Sequence, residues 1–463
     1  MTNIVPMRDT APATDPSHVS ILAKAVANWF VRRDGKYYDV DRLNVAISKT
    51  DVKQICISRF QHEYPDIPLT SDLAKTVFSR VLEKTHADPE QIVSVWSGQR
   101  VCRPGDPNRI IHERGSASVN TWTLPGYRAL DVTEADYGAA AEFFEWVFPR
   151  ETERSMVLDW LAWNLQHEND KPGWAPFLYS RSKGSGKSTF CQLVATLFGV
   201  ENCVTQNNVD KLTSKFNMTV LQSKLVVSEE LQLRPDSTQS NTLKTYITER
   251  TTLSELKGHE AERVDQRCCF IFTTNHLPIW IEADDRRYYV VEVDHDGHAS
   301  GPRSRQFQAV VEEVLAQIDD PEQLAGLYHA LMIRVIPETF SAKSLNIEDD
   351  GTEVMKRIQG ASRQVTLEQL EEFLNDKEIN ALPEAEVAAF VRDNLRANIN
   401  STRHMMSELG WTKQKVKWDG VDHARAIWVR PDYVVERGKL IGPDGSRVRI
   451  SDHLDDREMD ITL

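Results

Sequence analysis

The sequence predicts an α/β protein built on a phosphate-loop core, with a mixed N-terminal domain before it and a winged-helix-like domain after it. Three observations carry that prediction. Between residues 174 and 294 short apolar runs alternate with helical stretches, as in a mainly parallel sheet. The first of those runs leads directly into Gly184-Ser-Gly-Lys-Ser-Thr189, and the chain closes on helical segments followed by two strand-like segments.

Composition fits that frame. A chain of 463 residues divides into two or three domains, each able to bury its own core. Hydrophobic residues make up 40% and charged residues 27%, the balance of globular domains in water. No apolar run is long enough to span a bilayer, and the first twenty residues lack a secretory pattern, so a cytoplasmic protein without a membrane partner is expected. Cysteines 56, 102, 191, 203, 268 and 269 form no CxxC pair, which points to reduced, buried thiols. The net charge of −14 argues against a surface coated for nucleic acid, so any DNA contact must be local.

In chain order, residues 1–18 read as a disordered start. The mixed domain takes 19–136: a helix over 19–30, a hairpin turning at Asp34-Gly35, a helix over 71–84, a strand over 91–101, and a segment ending at Trp122 before Pro125-Gly126. Residues 137–167 read as two helices, with Val157, Trp160 and Leu161 on one stripe. Strands follow at 175–179, 224–228, 268–273 and 288–293, then a loop at 297–302 and helix over 306–335, so 137–340 is one domain with a helical collar. Residues 341–364 read as a linker. In 365–463, helices over 366–374, 383–395 and 401–409 precede strands over 412–418 and 425–430, the order of a winged helix-turn-helix.

The chemistry sits at the strand ends. Gly184 and Gly186 let backbone N–H groups turn onto phosphates at a helix N-terminus. Ser185 lies between them, Lys187 would reach the β- and γ-phosphates, Ser188 offers a hydroxyl to magnesium, and Thr189 is a weaker phosphate contact. The usual pattern has glycine where this chain has Arg181, which predicts a differently shaped first turn. Glu229 and Glu230 end an apolar strand, where the first can orient magnesium and the second can act as general base. Asn275 ends the next strand, placed to sense a γ-phosphate, although alone it would be a turn residue. Arg286 and Arg287 open the last strand, where a guanidinium can stabilise phosphoryl-transfer charge or simply pair with Asp284 or Asp285.

Taken together, the Gly-Ser-Gly-Lys-Ser-Thr loop, the Glu-Glu strand, the Thr-Thr-Asn strand end and the Arg-Arg strand start resemble helicase superfamily 3, the viral and phage replicative helicases. The resemblance extends more weakly over residues 20–335, toward the motor portion of phage, plasmid and poxvirus-type primase-helicases. It implies an AAA+-like ATPase core using ATP and Mg2+, and a homo-oligomer, a hexamer by family expectation. Single-stranded and forked DNA would be the substrate, traversed 3′-to-5′, with a separate primase or polymerase as partner. It also implies a DNA-gripping hairpin over residues 252–266, with Lys257 and His259 at its tip; an ordinary exposed turn is the alternative. In the C-terminal domain Arg403 and His404 would lie on a recognition helix, and Lys413, Lys415 and Lys417 along a wing strand. Two rivals remain open: an origin-binding or regulatory ATPase that assembles on DNA without unwinding it, and a small-molecule kinase built on the same loop.

Overall fold

A computed structural model describes residues 15–454 apart from 84–87, 114, 132–133, 215–219, 221, 235–236, 255–261, 283–284, 294–296, 377–378 and 396–401. The chain separates into two compact units. The first comprises residues 1–231, 242–276 and 287–345; the second, 232–241, 277–286 and 346–463.

The first unit begins with α1 (Pro16–Trp29), capped by the Asp15 carboxylate on the Ser17 N–H. Residues 16–18, expected to belong to a disordered start, are helical instead, because a side-chain cap and a proline in the first turn nucleate the helix early. Strands β1 (Phe30–Arg33) and β2 (Lys36–Asp39) form the expected hairpin, with Asp34 and Gly35 both at positive φ. With β3 (Arg42–Ile47), β4 (Ser94–Val101), β5 (Ile110–Glu113) and β6 (Ser116–Asn120) they make a six-stranded mixed sheet in the order β3-β2-β1-β4-β6-β5. Helices α2 (Lys49–Glu63) and α3 (Ser71–Leu82) join α1 over a core that includes Leu22, Val26, Phe30, Cys56, Phe60 and Val77. Burial pushes the Cys56 thiol up to about 12, as expected of an inert core cysteine.

Helices α4 (Ala139–Val147) and α5 (Glu151–Gln166) lead into a parallel five-stranded sheet. Its strands are β7 (Ala175–Tyr179), β8 (Cys203–Thr205), β9 (Leu225–Ser228), β12 (Cys269–Thr274) and β13 (Tyr288–Glu292), ordered β13-β7-β12-β9-β8. Strands β7, β9 and β12 are buried along their whole length, as expected of a parallel sheet covered on both faces. Each such Phe, Leu or Val contributes about 1.5–3 kcal/mol by leaving water. Between β7 and β8 lies α6 (Lys187–Phe198), whose Phe190, Leu193, Val194 and Leu197 form its buried stripe. The short α7 (Val209–Leu212) follows β8, and α8 (Thr238–Thr248) follows β9. An antiparallel pair, β10 (Thr251–Ser254) and β11 (Glu262–Asp265), precedes β12.

The stretch read as helical over 306–335 is two helices, α9 (Ser304–Asp319) and α10 (Pro321–Met332). Asp320 divides them by accepting from the Glu322 and Gln323 N–H groups. The mixed domain and the parallel sheet share this one unit. Thr121 Oγ1 donates to the Gln222 carbonyl at 2.8 Å, and Asn202 accepts from the Thr123 N–H at 2.8 Å. Arg128 binds both carboxylate oxygens of Glu168 at 3.0 and 2.9 Å and the Leu197 carbonyl at 2.7 Å.

In the second unit a short α11 (Ile347–Asp350) precedes α12 (Glu353–Asp376). That helix begins inside the stretch read as a linker, 341–364, and runs past its end. Next come β14 (Ala381–Pro383), α13 (Glu384–Asp393), α14 (Thr402–Glu408), β15 (Thr412–Val416) and β16 (Arg425–Val429). The strands pair in the order β14-β16-β15, all antiparallel. Leu370, Leu374, Val387, Val391, Met405, Met406 and Trp428 form their core. A three-stranded sheet of β17 (Val434–Glu436), β18 (Lys439–Ile441) and β19 (Arg447–Arg449) follows.

Candidate nucleotide-binding site

Three loops meet at the C-terminal edge of the parallel sheet, and each carries residues singled out from the sequence. After β7 the Ser180 hydroxyl donates to the Ser182 carbonyl at 2.7 Å and accepts its N–H at 3.1 Å, closing a tight turn over Arg181. Arg181 keeps a negative φ and donates from Nε to the Tyr179 hydroxyl at 3.1 Å, so no glycine is needed there. Gly184 and Gly186 have φ of 77° and 90°, the left-handed region that favours glycine. At Gly186 space matters too, since a Cβ would stand 2.9 Å from Phe307 Cζ and 2.9 Å from Val147 Cγ2. The loop thus rests on α4 and α9.

From the first turn of α6, Lys187 folds back into this loop, only 8% exposed. Its ammonium donates to Asn275 Oδ1 at 2.8 Å and to Ser185 Oγ at 3.2 Å. Ser188 donates to Glu229 Oε1 at 2.7 Å. Hydroxyl and carboxylate converge as hard oxygen donors suited to magnesium, so the residues present fit that ion. Among the described residues no group of three or more His, Cys, Asp or Glu could hold a metal by itself. Thr189 lies beyond this pair, half-buried on α6.

Glu230 has a φ of 55°, a conformation costing a non-glycine residue about 1–2 kcal/mol. The surroundings hold it there: Thr273 Oγ1 accepts its N–H at 3.4 Å and the Thr273 carbonyl accepts the Leu231 N–H at 2.9 Å. The turn aims Glu230 toward Asn275, whose Nδ2 donates to Oε1 at 3.5 Å. Lys187, Asn275 and Glu230 therefore form one continuous polar path across the ends of β7, β12 and β9. The sequence did not single out Asn207, which follows β8 and accepts the Glu229 N–H through Oδ1 at 2.9 Å, nor His298, and it gave Thr273 no role beyond the strand end. Only its position just past β8 could have signalled Asn207.

The arginines stand elsewhere. Arg287 is half-buried just before β13, and its carbonyl accepts the Ala175 N–H at 2.9 Å. That is the N-terminal edge of β7 and β13, and the phosphate loop leaves the opposite edge, five residues or roughly 16 Å away. Arg286 is exposed. Lys257 and His259 lie outside the described residues, between the paired strands β10 and β11. Arg403 and His404 are exposed on α14, where Met405 and Met406 face inward. Lys413, Lys415 and Lys417 are exposed along β15 and just beyond it, with Lys413 ion-paired to Glu384.

The chain has relatives. The chain is similar to a phage DNA primase-polymerase. Over 147 residues it is 30% identical to the DNA primase-polymerase of Nitratiruptor phage NrS-1, an alignment covering 30% of this chain and 20% of that protein. The apo structure of the NrS-1 C-terminal region superposes with a TM-score of 0.52 at 16% identity, covering 89% of this chain and 99% of that one. A second apo structure of that region, the A form, gives 0.50 at 17% identity with the same coverage. At such identities the likeness is one of fold. Residues 178–287, which hold the phosphate loop, both glutamates, Asn275 and the two arginines, match a family of unknown function, DUF5906.

Proposed function

We propose that this protein is an ATP-driven helicase of phage-type DNA replication, related to helicase superfamily 3. The observation that carries this reading is the constellation at the sheet edge: Lys187 on Asn275, Ser188 on Glu229, and a strained Glu230 beside Asn275. A magnesium ion bound with ATP would neutralise phosphate charge, and Ser188 and Glu229 would hold it. Lys187 and the N–H groups of residues 184–189 bind the β- and γ-phosphates. Glu230 orients the attacking water and takes its proton, and Asn275 stands where it reports the γ-phosphate to Glu230.

Arg287, at the far edge of the same sheet, acts on the site of a neighbouring subunit in a head-to-tail ring, of six copies by family resemblance. Arg286 is the alternative finger. The β10–β11 hairpin carries Lys257 and His259 to single-stranded DNA in the channel, with 3′-to-5′ travel implied by the same resemblance. The order helix, strand, helix, helix, strand, strand, with β14 paired to β16, supports a winged helix in residues 365–463. Its exposed Arg403 and Lys415 contact the DNA backbone. Residues 137–340 form the AAA+-like motor on this reading, and a separate primase or polymerase supplies primers. No helix among the described residues is long and apolar enough to cross a membrane; a cytoplasmic site of action fits.

Unwinding a forked duplex with ATP and no second helicase tests the reading. Strand separation supports it. ATP-dependent assembly on the fork without separation would replace it with the origin-binding ATPase.

A further inference from the structure

We propose that a cavity between α4 and the start of α9 receives the base and ribose of the nucleotide, with Trp146 and Arg303 as its platform. The inference rests on the reading of the 181–189 loop as a triphosphate site and extends it to the uncharged end of the ligand. The cavity has a volume of about 570 Å³, in the range of small-ligand sites. Ala141, Glu142, Glu145, Trp146, His298 and Arg303 line it.

The elements that wall it also support the phosphate loop. The His298 ring nitrogen lies 3.4 Å from the Ser185 carbonyl oxygen, and the Ala299 carbonyl lies 3.8 Å from where a Cβ on Gly184 would be. Val147 and Phe143 of α4 and Phe307 of α9 crowd Gly186. A nucleotide whose phosphates engage Lys187 therefore has this cavity within reach of its sugar and base.

The lining selects that end of the molecule. The Arg303 guanidinium lies 4.1 Å from the Trp146 ring centre, and His298 packs edge-on to Phe307 at 4.4 Å, so the flat groups are braced. Stacked Arg and Trp planes offer a purine a matching π surface. Glu142, which accepts from Trp146 Nε1 at 3.2 Å, and the exposed Glu145 repel a phosphate but accept from ribose hydroxyls or an exocyclic amine. A cavity of about 500 Å³ in the N-terminal sheet, bordered by Lys24, Glu90 and Arg109, has no such link to the loop.

Calorimetric titration of the full chain with ATP and with inorganic tripolyphosphate, each with Mg2+, tests the proposal. The wild type should prefer ATP by at least roughly tenfold. Arg303→Ala and Trp146→Ala should each weaken ATP by roughly tenfold while leaving tripolyphosphate affinity in place. Arg303 is exposed, so its variant keeps the fold, and retained tripolyphosphate binding reports an intact loop in either variant. Unchanged ATP affinity in both variants, or equal loss of both ligands, would overturn the platform. A wild type that binds neither ligand would overturn the triphosphate reading itself, a result distinct from either.

Discussion

At the residue scale the proposed chemistry turns on where single charges sit. Lys187 is buried and donates to the oxygens of Asn275, Ser185 and Ser182, in a place where phosphate oxygens would serve as well. Lys187→Ala should lower ATP turnover by at least about 10²-fold with an unchanged circular dichroism spectrum, because it removes transition-state stabilisation and little packing. Glu230→Gln should separate binding from chemistry: ATP affinity stays, and single-turnover hydrolysis falls by about 10²–10⁴-fold. Rapid hydrolysis by that variant would move the base to Glu229. Arg128 predicts a stability effect remote from the site. Arg128→Ala leaves the Glu168 carboxylate, 8% exposed on its side chain, without its guanidinium, and should cost about 3–5 kcal/mol in denaturant unfolding.

At the element scale, periodicity was informative where strands are buried and loops are short. The Asp34-Gly35 hairpin, the two helices of 137–167, and β7, β9, β12 and β13 were legible because apolar runs end at turn-forming residues. The break at Asp320-Pro321 carried a capping signal that an apolar stripe on either side concealed. Strand β14, three residues between two helices, is too short to show a period of two, and β17 to β19 are equally short and largely exposed. Loop geometry was legible only in part. The glycines of the phosphate loop were evident, whereas the Ser180–Ser182 turn that replaces the usual first glycine, and the support of Glu229 by Asn207, depend on side-chain contacts that no spacing encodes. Gly186→Ala should abolish ATP binding and destabilise the unit by about 1–3 kcal/mol, since the new methyl meets Phe307 and Val147 in a left-handed backbone. Nucleotide binding with wild-type stability would contradict the packing described.

At the scale of the whole molecule, the separation of Arg287 from the phosphate loop of its own chain has a consequence for assembly. If Arg287 completes a neighbour's site, Arg287→Ala and Lys187→Ala should each be inactive alone, and mixing them should restore part of the hydrolysis. In mixed rings some interfaces pair an intact loop with an intact arginine. Mixtures as inactive as their parts would put Arg287 in a structural role. On the helicase reading the net charge of −14 would confine DNA to local contacts, and DNA binding should fall with salt through a few lysines and arginines, which a salt titration of binding checks. The central claim is that the sheet-edge site drives movement on DNA, and it is tested most directly by ATP hydrolysis with and without single-stranded DNA, Lys187→Ala serving as control. The account predicts strong stimulation by single-stranded DNA that the variant abolishes; robust hydrolysis indifferent to DNA would contradict it.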